Sequence, residues 1–324
     1  SLSILSVALG AALCAPAQAQ SLLELVESAR THDMAWQSAR AQLDAAARKA
    51  DQARAGLLPS AALTGGLTRS NVELSKPKIE NTGTAQTVGI NASQPLYRPA
   101  NRITLEQGQR GVEVAQAQLD AATQDLLVRV SQAYFDVLAA QDTLTFVQAQ
   151  KAAVSEQLAA AKRNFEVGTT TVTDSREAQA RYDLVIAQEI AAENDLRVKS
   201  LALDQLVGIT GTKPLPLALP VQLPSVVPDN LTTWVDTARD QQPGVRQAAI
   251  ALDIARLETK KAETGHLPTV DLQAGYNVTR NLHGTITSPG VTARSNAASV
   301  GVALNLPLFA GFAVQNRATE TLAL

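Results

Sequence analysis

Cysteine and histidine are scarce in this sequence of 324 residues, which limits the chemistry that it can perform. Cys14 is the single cysteine, and it lies in a segment that we expect to be removed, so the mature chain has no disulfide and no thiol chemistry. The residues Gly208–Lys213 lack the spacing of a phosphate-binding loop. The three histidines are far apart and lack the spacing of metal ligands, so each is expected at the surface: His32, His266 and His283. We therefore expect no metal, no cofactor and no enzymatic activity.

Aromatic residues and net charge are also low. Aromatics make up 3% of the chain, which is few for a conventional globular core, and the net charge is −2 with 18% charged residues. A nucleic-acid partner is not expected, because there is no basic field to attract phosphates. After the first residues no apolar run reaches the roughly 20 residues of a membrane-spanning helix. If this chain enters a membrane, it must do so as strands.

The first nineteen residues are the exception, because they are strongly apolar. Leu2–Leu13 is nearly unbroken apolar chain and is followed by an A-x-A motif formed by Ala17 and Ala19. This pattern predicts a secretory signal peptide that is cleaved after Ala19. The basic leader and the initiator Met are absent, so residues 1–19 are expected to be a partial signal peptide. A lipoprotein signal through Cys14 is disfavoured, because a large residue precedes it.

The sequence contains an internal duplication. For example, Leu58-Pro-Ser recurs 209 residues later as Leu267-Pro-Thr. Several such matches keep one ungapped register over about 30 residues, which chance does not explain, so the duplication sets the architecture. We predict a first structural repeat and a second, incomplete one, with a Pro-rich link between them: residues 20–228, 229–324 and 214–228.

Each repeat contains two stretches in which apolar and polar residues alternate. In Thr269–Arg280 the even positions from Val270 to Val278 are apolar, and most odd positions are polar. Alternation predicts strands with one apolar and one polar face, and about 10 residues suffice for a tilted strand to cross a bilayer. An ordinary antiparallel sheet of a soluble protein is the alternative. The predicted strands are residues 60–70, 86–96, 269–280 and 297–306, with polar loops at 71–86 and 281–296.

Long helices are expected between and beside the strand pairs. Residues 103–166 contain no proline and are rich in Ala, Gln, Leu and Val. A second helix extends to about Val207, so residues 101–209 are predicted to form a long antiparallel helical hairpin of the coiled-coil kind. Further helices are expected in each repeat: 22–31, 35–55 and the two within 231–264, with the start of another long helix before Leu324.

The junction of the two hairpin helices contains two candidate caps. Gly168 fits a helix C-cap in the left-handed region. Asp174 fits the N-cap of the second helix, with Glu177 at the third helical position to complete a capping box. The tip of the hairpin is therefore predicted at Gly168–Thr173.

Four strands per chain cannot close a barrel. In lipid, each unpaired N–H or C=O group at an open sheet edge costs several kcal/mol. Amphipathic strands in a membrane therefore require several chains to share one barrel. Three chains would supply twelve strands, and neighbouring hairpins would support each other laterally. The predicted fold class is mainly α, with transmembrane β-strands in a shared trimeric barrel.

A set of motifs distributed over residues 21–324 is specific enough to suggest a family: Asn164-Phe-Glu-Val-Gly168, Thr173-Asp174, Ala178-Gln-Ala-Arg-Tyr-Asp183, Ile209-Thr-Gly211 and Gly265-His-Leu-Pro-Thr-Val-Asp271-Leu. This set resembles the TolC outer-membrane factor family. The resemblance implies a homotrimer in the lipid of the Gram-negative outer membrane, with a helical tunnel in the periplasm. It also implies a periplasmic adaptor and an inner-membrane pump or ABC exporter as partners, in drug efflux or type I secretion.

The resemblance also assigns roles to five residues. By position, Gln157, Thr173 and Asp174 resemble the family's gate latch, and Val167 and Gly168 resemble the tip that faces the adaptor. Each residue has a simpler alternative role, since Asp174 and Gly168 can act as caps alone and Gln157 can be a solvated helix residue. The chain stops where the second long helix should begin, so the opposing half of the gate is expected in about 110 further residues.

Two function classes remain open at the level of sequence. A passive exit duct accounts for the signal, the strands, the helices and the duplication together. A periplasmic helical-hairpin adaptor or structural protein accounts for the hairpin but not for two pairs of membrane-type strands. The sequence does not identify the exported substrate, the pump or the adaptor.

Overall fold

A computed structural model describes residues 20–75, 78–218, 220, 224–282, 284–285 and 288–323. The predicted signal peptide, including Ala17 and Ala19, lies outside these residues. The chain divides into two compact units, one formed by the residues through Ala41 with Leu119–Asp236 and the other by Gln42–Gln118 with the residues from Thr237 onward. Each unit combines segments that are distant in sequence.

The first unit is built from helices. Helix α1 spans Leu22–His32, α2 spans Met34–Ala55, α3 spans Pro99–Glu166 and α4 spans Val172–Val207, and α2 and α3 contribute residues to both units. The 68 residues of α3 begin at Pro99, two positions before the predicted start of the hairpin at residue 101. Pro99 is compatible with this start, because the N–H groups of the first helical turn have no acceptor within the helix, so the N–H that proline lacks is not missed there.

The core of the first unit lies where α1, α3 and α4 meet. Its largest fully buried side chains are Leu25, Leu126, Val130, Leu203 and Val207. Burying one such side chain contributes about 1.5–3 kcal/mol. This core is therefore complete within one chain.

The turn that follows α4 is held by Asp204. Its carboxylate oxygens accept hydrogen bonds from the backbone N–H of Gly211 at 2.7 Å and of Thr212 at 2.9 Å. Burial raises the pKa of Asp204, but the hydrogen bonds from Thr212 and Gly211 lower it more, so that the pKa lies below its ordinary value. These two N–H groups of the Gly208–Lys213 segment are thus occupied within the chain.

The second unit contains a four-stranded antiparallel sheet. Strand β1 spans Ser60–Ser75, β2 spans Lys78–Tyr97, β3 spans Thr269–Asn281 and β6 spans Ala293–Asn305, in the order β1-β2-β3-β6. A separate short pair is formed by β4 at Gly284–Thr285 and β5 at Ser288–Pro289.

The two predicted polar loops are largely strand, so that prediction was wrong. Backbone pairing of β1 with β2 continues to Ser75 and Lys78, and β6 begins at Ala293. Pairing in an antiparallel ladder needs only backbone groups, whereas the alternation in the sequence marks only the part of a strand that has an apolar face. The strands are therefore longer than their amphipathic portions.

The remaining helices are α5 at Leu231–Gln241, α6 at Pro243–Glu263 and α7 at Ala313–Ala323. In the second unit α7 packs on α6: Arg317 and Glu258 form an ion pair at 3.3 Å, and Thr259 Oγ1 donates to the carbonyl of Thr321 at 3.3 Å. Within the described part of the chain, no helix combines the length and the apolar character needed to span a membrane.

Candidate functional site

One face of the sheet is apolar and exposed. Directly opposed residues of an antiparallel pair lie on the same face, and the register places Leu63, Ile90, Tyr276 and Ala298 in one row across all four strands. The predicted apolar positions of β3 all lie on this face. The large exposed side chains of the face are Leu63, Leu67, Val88, Ile90, Leu272, Tyr276, Val300, Val302 and Leu304. A contiguous apolar surface of this kind marks a contact with lipid or protein.

The opposite face of the sheet is polar and linked by hydrogen bonds between side chains. Asn91 Nδ2 donates to Thr64 Oγ1 at 3.1 Å, and the hydroxyls of Thr87 and Thr279 lie 3.4 Å apart. The two-faced character predicted from the alternation is therefore confirmed. Such a face suits contact with water.

Gly89 makes room for a polar side chain on this face. A Cβ atom at Gly89 would lie 1.8 Å from Oδ1 of Asn277, which is far too close for two non-bonded atoms. The missing side chain of Gly89 thus allows Asn277 to lie across the neighbouring strand. Any larger residue at this position would displace Asn277.

The two outer strands leave the sheet open at both edges. No strand of the described residues pairs with the outer edge of β1 or of β6. Unpaired backbone groups at such edges are costly in lipid and invite pairing with another chain. One chain therefore supplies an unfinished sheet.

The first hairpin helix ends in a Schellman motif at Gly168. The N–H of Gly168 donates to the carbonyl of Phe165 at 3.0 Å, and the N–H of Thr169 donates to the carbonyl of Asn164 at 2.9 Å. Gly168 has φ +78°, in the left-handed region that favours glycine. The predicted C-cap is confirmed. The adjacent Val167 is 73% exposed, and there is open space around Gly168.

The second hairpin helix begins with Thr171 as its N-cap. Thr171 Oγ1 accepts from the N–H of Asp174 at 3.2 Å, and Asp174 Oδ2 accepts from the N–H of Thr171 at 2.9 Å. Asp174 is therefore the third helical residue of a capping box, and the prediction that it is the N-cap paired with Glu177 was wrong. The segment T-T-V-T-D-S contains several good capping residues, and starting at Thr171 places an acid at the third position, where it can complete the box.

The carboxylate of Asp174 is ionised and only partly engaged. The hydrogen bonds from the hydroxyl and the N–H of Thr171 hold the pKa of Asp174 below its ordinary value. Both bonds end on Oδ2, so Oδ1 has no hydrogen-bond partner among the described residues. This oxygen can accept a hydrogen bond from a further group.

Gln157 on α3 and Asp174 on α4 face one small cavity of about 210 Å³ near the hairpin end. Thr173 is exposed and is not one of its lining residues. The cation in the cavity wall, Arg181, is already paired with Glu177 at 2.5 Å. The lining residues are Val154, Gln157, Asp174, Glu177, Ala178 and Arg181.

An ion pair that was not predicted from the sequence joins the end of β2 to β3. Arg98 donates from Nε to Asp271 Oδ1 at 2.8 Å and from Nη2 to Oδ2 at 2.6 Å, and Asp271 is 7% exposed. Two-point contacts of this kind are geometrically specific. The two residues are 173 positions apart, so no local pattern indicated the pair.

The described residues contain no group of three or more His, Cys, Asp or Glu side chains placed to hold a metal ion. The features that stand out are surfaces rather than clusters of reactive side chains. One is a sheet with two unlike faces and open edges, and the other is a hairpin end with an exposed tip and a small polar cavity.

Comparisons with known proteins identify relatives along nearly the whole chain. A family profile described as "Outer membrane efflux protein" matches residues 25–209 and 234–323. The outer membrane protein TolC of Vibrio cholerae is 34% identical over 306 residues, which cover 94% of this chain and 68% of that protein. TolC of Escherichia coli K12 is 30% identical over 311 residues, covering 94% of this chain and 62% of that protein. The chain thus spans about two thirds of the length of these relatives.

A secretion protein and a solved structure extend the comparison. The proteases secretion protein PrtF of Dickeya chrysanthemi is 31% identical over 316 residues, covering 92% of this chain and 66% of that protein. The outer membrane protein VceC of Vibrio cholerae has the same fold, with a TM-score of 0.74 at 20% identity, over 93% of this chain and 72% of that one. Because the family profile covers most of the chain, and TolC of Vibrio cholerae exceeds 30% identity over most of it, this chain belongs to the outer membrane efflux protein family.

Proposed function

We propose that this chain forms part of an outer-membrane exit duct, which passes substrates from an inner-membrane pump or ABC exporter and a periplasmic adaptor to the exterior. As a member of its family the protein resides in the outer membrane of a Gram-negative cell. The observation that carries the proposal is the unfinished two-faced sheet. Lipid suits its apolar face, a water-filled passage suits its polar face, and neighbouring chains satisfy its edges.

Three copies of the chain are the proposed assembly. Four strands from each copy give a closed barrel of twelve strands, an even number as in bacterial barrels of this kind. The duct itself performs no catalysis in this proposal. It provides the passage, and the pump provides the energy.

A periplasmic helical-hairpin adaptor without a pore is the competing function. It would use the α3–α4 hairpin in the same way but would leave the apolar face of the sheet in water, where Leu63 alone is 75% exposed. Extraction of the full-length protein from membranes separates the two. A barrel requires detergent and remains a trimer in cross-linking and light scattering. Release of a monomer by high salt would contradict the duct.

We also propose that residues 20–228 and 229–324 are two structural repeats and that residues 1–19 act as a signal peptide cleaved after Ala19. The repeat is supported by the order of elements, since β1 and β2 precede α3 while β3 and β6 precede α7. Sequencing the amino terminus of the mature protein tests the cleavage. Gln20 should be the first residue, and a longer mature chain would contradict the proposal.

Val167 and Gly168 are proposed as the tip that docks the adaptor. Val167 is exposed, and its side chain takes no part in the backbone hydrogen bonds that end α3. Val167→Asp should therefore abolish export in the full-length protein without lowering the yield of membrane-inserted trimer. Gly168→Asn adds a side chain at the tip but tolerates the left-handed backbone, so it should reduce export as well.

The matched control for the tip is Val235→Asp, the same change at an exposed position of α5. It should export at the wild-type level. If Val167→Asp and Val235→Asp reduce export equally, the tip is not a specific docking surface.

Gln157, Thr173 and Asp174 are proposed as one side of a latch that keeps the periplasmic end closed. The support is that Gln157 and Asp174 line the same cavity and that Oδ1 of Asp174 has no hydrogen-bond partner among the described residues. Asp174→Gln removes the charge but can still accept the hydrogen bond of a capping box. It should raise single-channel conductance of the full-length trimer and sensitise cells to large antibiotics, and Gln157→Ala and Thr173→Ala should do so more weakly.

Two controls separate the latch from the cap. Asp174→Glu keeps both the charge and the capping box, so conductance should stay low. Thr171→Val removes the capping hydroxyl but keeps the carboxylate, and conductance should again stay low. A rise with Thr171→Val that equals the rise with Asp174→Gln would mean that a frayed helix end opens the channel, which rejects the latch.

A further inference from the structure

Two arginines lie directly opposite each other on the apolar face of the sheet. The register of β3 with β6 pairs Arg280 with Arg294, in the row that also contains Leu67 and Gln86. Both arginines are exposed, and neither forms an ion pair with a described residue. Like charges opposed across two strands destabilise a sheet. This pair therefore calls for an anion from outside the chain.

The arginine row lies at the rim of the apolar face. The apolar positions of β3 run from Val270 to Val278, which is about 27 Å along the strand, and Arg280 follows at about 34 Å. With a strand tilt of about 40°, the arginines lie about 26 Å from the first apolar row, and the apolar band of outer-membrane barrels is about 25 Å tall. A third arginine, Arg69, follows Leu67 on the same face of β1, about 10 Å from β3 across two strand spacings.

Acidic neighbours that could neutralise this row are distant. In the strand register, the row of Glu73 and Glu80 lies six residues further along β1 and β2 than the arginine row. Asp271, the other acid of the sheet, lies on the polar side and is bound to Arg98. The row is thus a cluster of cations beside an apolar surface.

We propose that Arg280 and Arg294, with Arg69 beside them, bind the phosphate groups of an outer-leaflet phosphoglycolipid whose acyl chains lie on the apolar face. The proposal rests on the exit-duct function, because that function places the arginine end of the strands, which is the end near Ser75 and Lys78, in the outer leaflet. Arginine binds phosphate through two parallel hydrogen bonds, and its long stem can remain on apolar surface while the guanidinium reaches the headgroups.

The test compares lipid retention by the purified full-length trimer. The wild-type protein should keep diphosphorylated lipid A through detergent washing, and Arg280→Gln/Arg294→Gln should retain about tenfold less, as expected from the loss of charge-assisted bonds. Dephosphorylated lipid A should be retained no better by the wild type than by the variant. Inorganic phosphate at millimolar concentration should not displace the lipid, because it lacks the acyl chains.

The control variant, Arg54→Gln/Arg239→Gln, removes two exposed arginines from helices α2 and α5. It should retain lipid A like the wild type. Equal retention by the Arg280/Arg294 variant and the wild type, or equal retention of phosphorylated and dephosphorylated lipid, would overturn the lipid site. Membrane insertion and trimer yield are measured in the same samples. Their failure in the wild type would overturn the exit duct instead.

Discussion

Large apolar side chains are buried in the helical core but exposed on the sheet. Leu126 and Leu203 are 1% and 0% exposed in the first unit, whereas Val300 and Leu304 of the sheet are 79% and 68% exposed. The helical core is satisfied within one chain. The sheet needs lipid and neighbouring chains, so the same kind of residue stabilises one region through the chain itself and the other only through its surroundings.

In the helical core, the largest loss of stability is expected from Leu203→Ala. A fully buried Leu leaves a cavity, and such changes cost about 2–5 kcal/mol of unfolding free energy. Leu201→Ala is the control, because Leu201 on the same helix is 60% exposed and should change stability by less than about 0.5 kcal/mol. Denaturant unfolding of the detergent-solubilised protein measures both. Similar losses for the two variants would show that the exposed face of α4 is also buried in the assembly.

On the sheet, Val300→Lys should lower the yield of folded protein, because this position faces lipid in the proposed barrel. A lysine near the middle of the lipid-facing band costs about 2–4 kcal/mol. Ser299→Lys places the same charge on the polar face and should fold nearly normally. The yield of full-length protein folded into lipid vesicles gives the comparison. If Ser299→Lys is the more damaging change, the two faces have been assigned the wrong way round.

The ion pair between Arg98 and Asp271 stabilises the sheet through a contact within the chain, in which Asp271 is buried. Asp271→Asn removes the charge that Arg98 binds and should cost about 1–3 kcal/mol, the range for disrupting a partly buried charged hydrogen bond. Thermal unfolding at neutral pH measures the loss. An unchanged unfolding temperature would mean that water replaces the carboxylate at no cost.

A smaller effect is expected from Asp33 in the helical unit. Arg129 donates to Asp33 at 2.8 Å and holds the pKa of this carboxyl below its ordinary value. The ionised form is therefore favoured in the folded state, so its stabilisation is present above the unfolded pKa near 4 and is lost as pH falls through the lower, folded value. Asp33→Asn should lower stability by about 1 kcal/mol at neutral pH and make acid unfolding less steep below about pH 4. Identical acid profiles of variant and wild type would contradict this.

The two faces of the sheet were predictable because alternation is a local property of the sequence. Val270 to Val278 indicate the apolar face without any knowledge of strand order. The ends of the strands were not predictable in this way, since stretches without a clear alternation, such as 78–85, continue the ladder through backbone pairing. The open edges followed from the strand count, which needed no structure.

The hairpin end shows a different limit of prediction. Its C-cap at Gly168 was evident because few residues other than glycine adopt that backbone. Its N-cap was not, because Thr171 and Asp174 are both good caps and differ by less than a turn of helix. The ion pair of Arg98 with Asp271 and the opposed positions of Arg280 and Arg294 became visible only with the structure and the register of its strands.

The order of the strands has a consequence for the time at which this sheet can form. The β1–β2 and β3–β6 hairpins join residues that are near in sequence, but the central ladder joins β2 to β3, with Thr87 and Thr279 separated by 192 residues. Closing so long a loop costs conformational entropy before any contact is gained, and contacts of this range slow folding. Until β3 has crossed into the periplasm, the apolar face and the edges of the β1–β2 hairpin remain uncovered. The chain therefore passes through an aggregation-prone stage, which we expect periplasmic chaperones to protect.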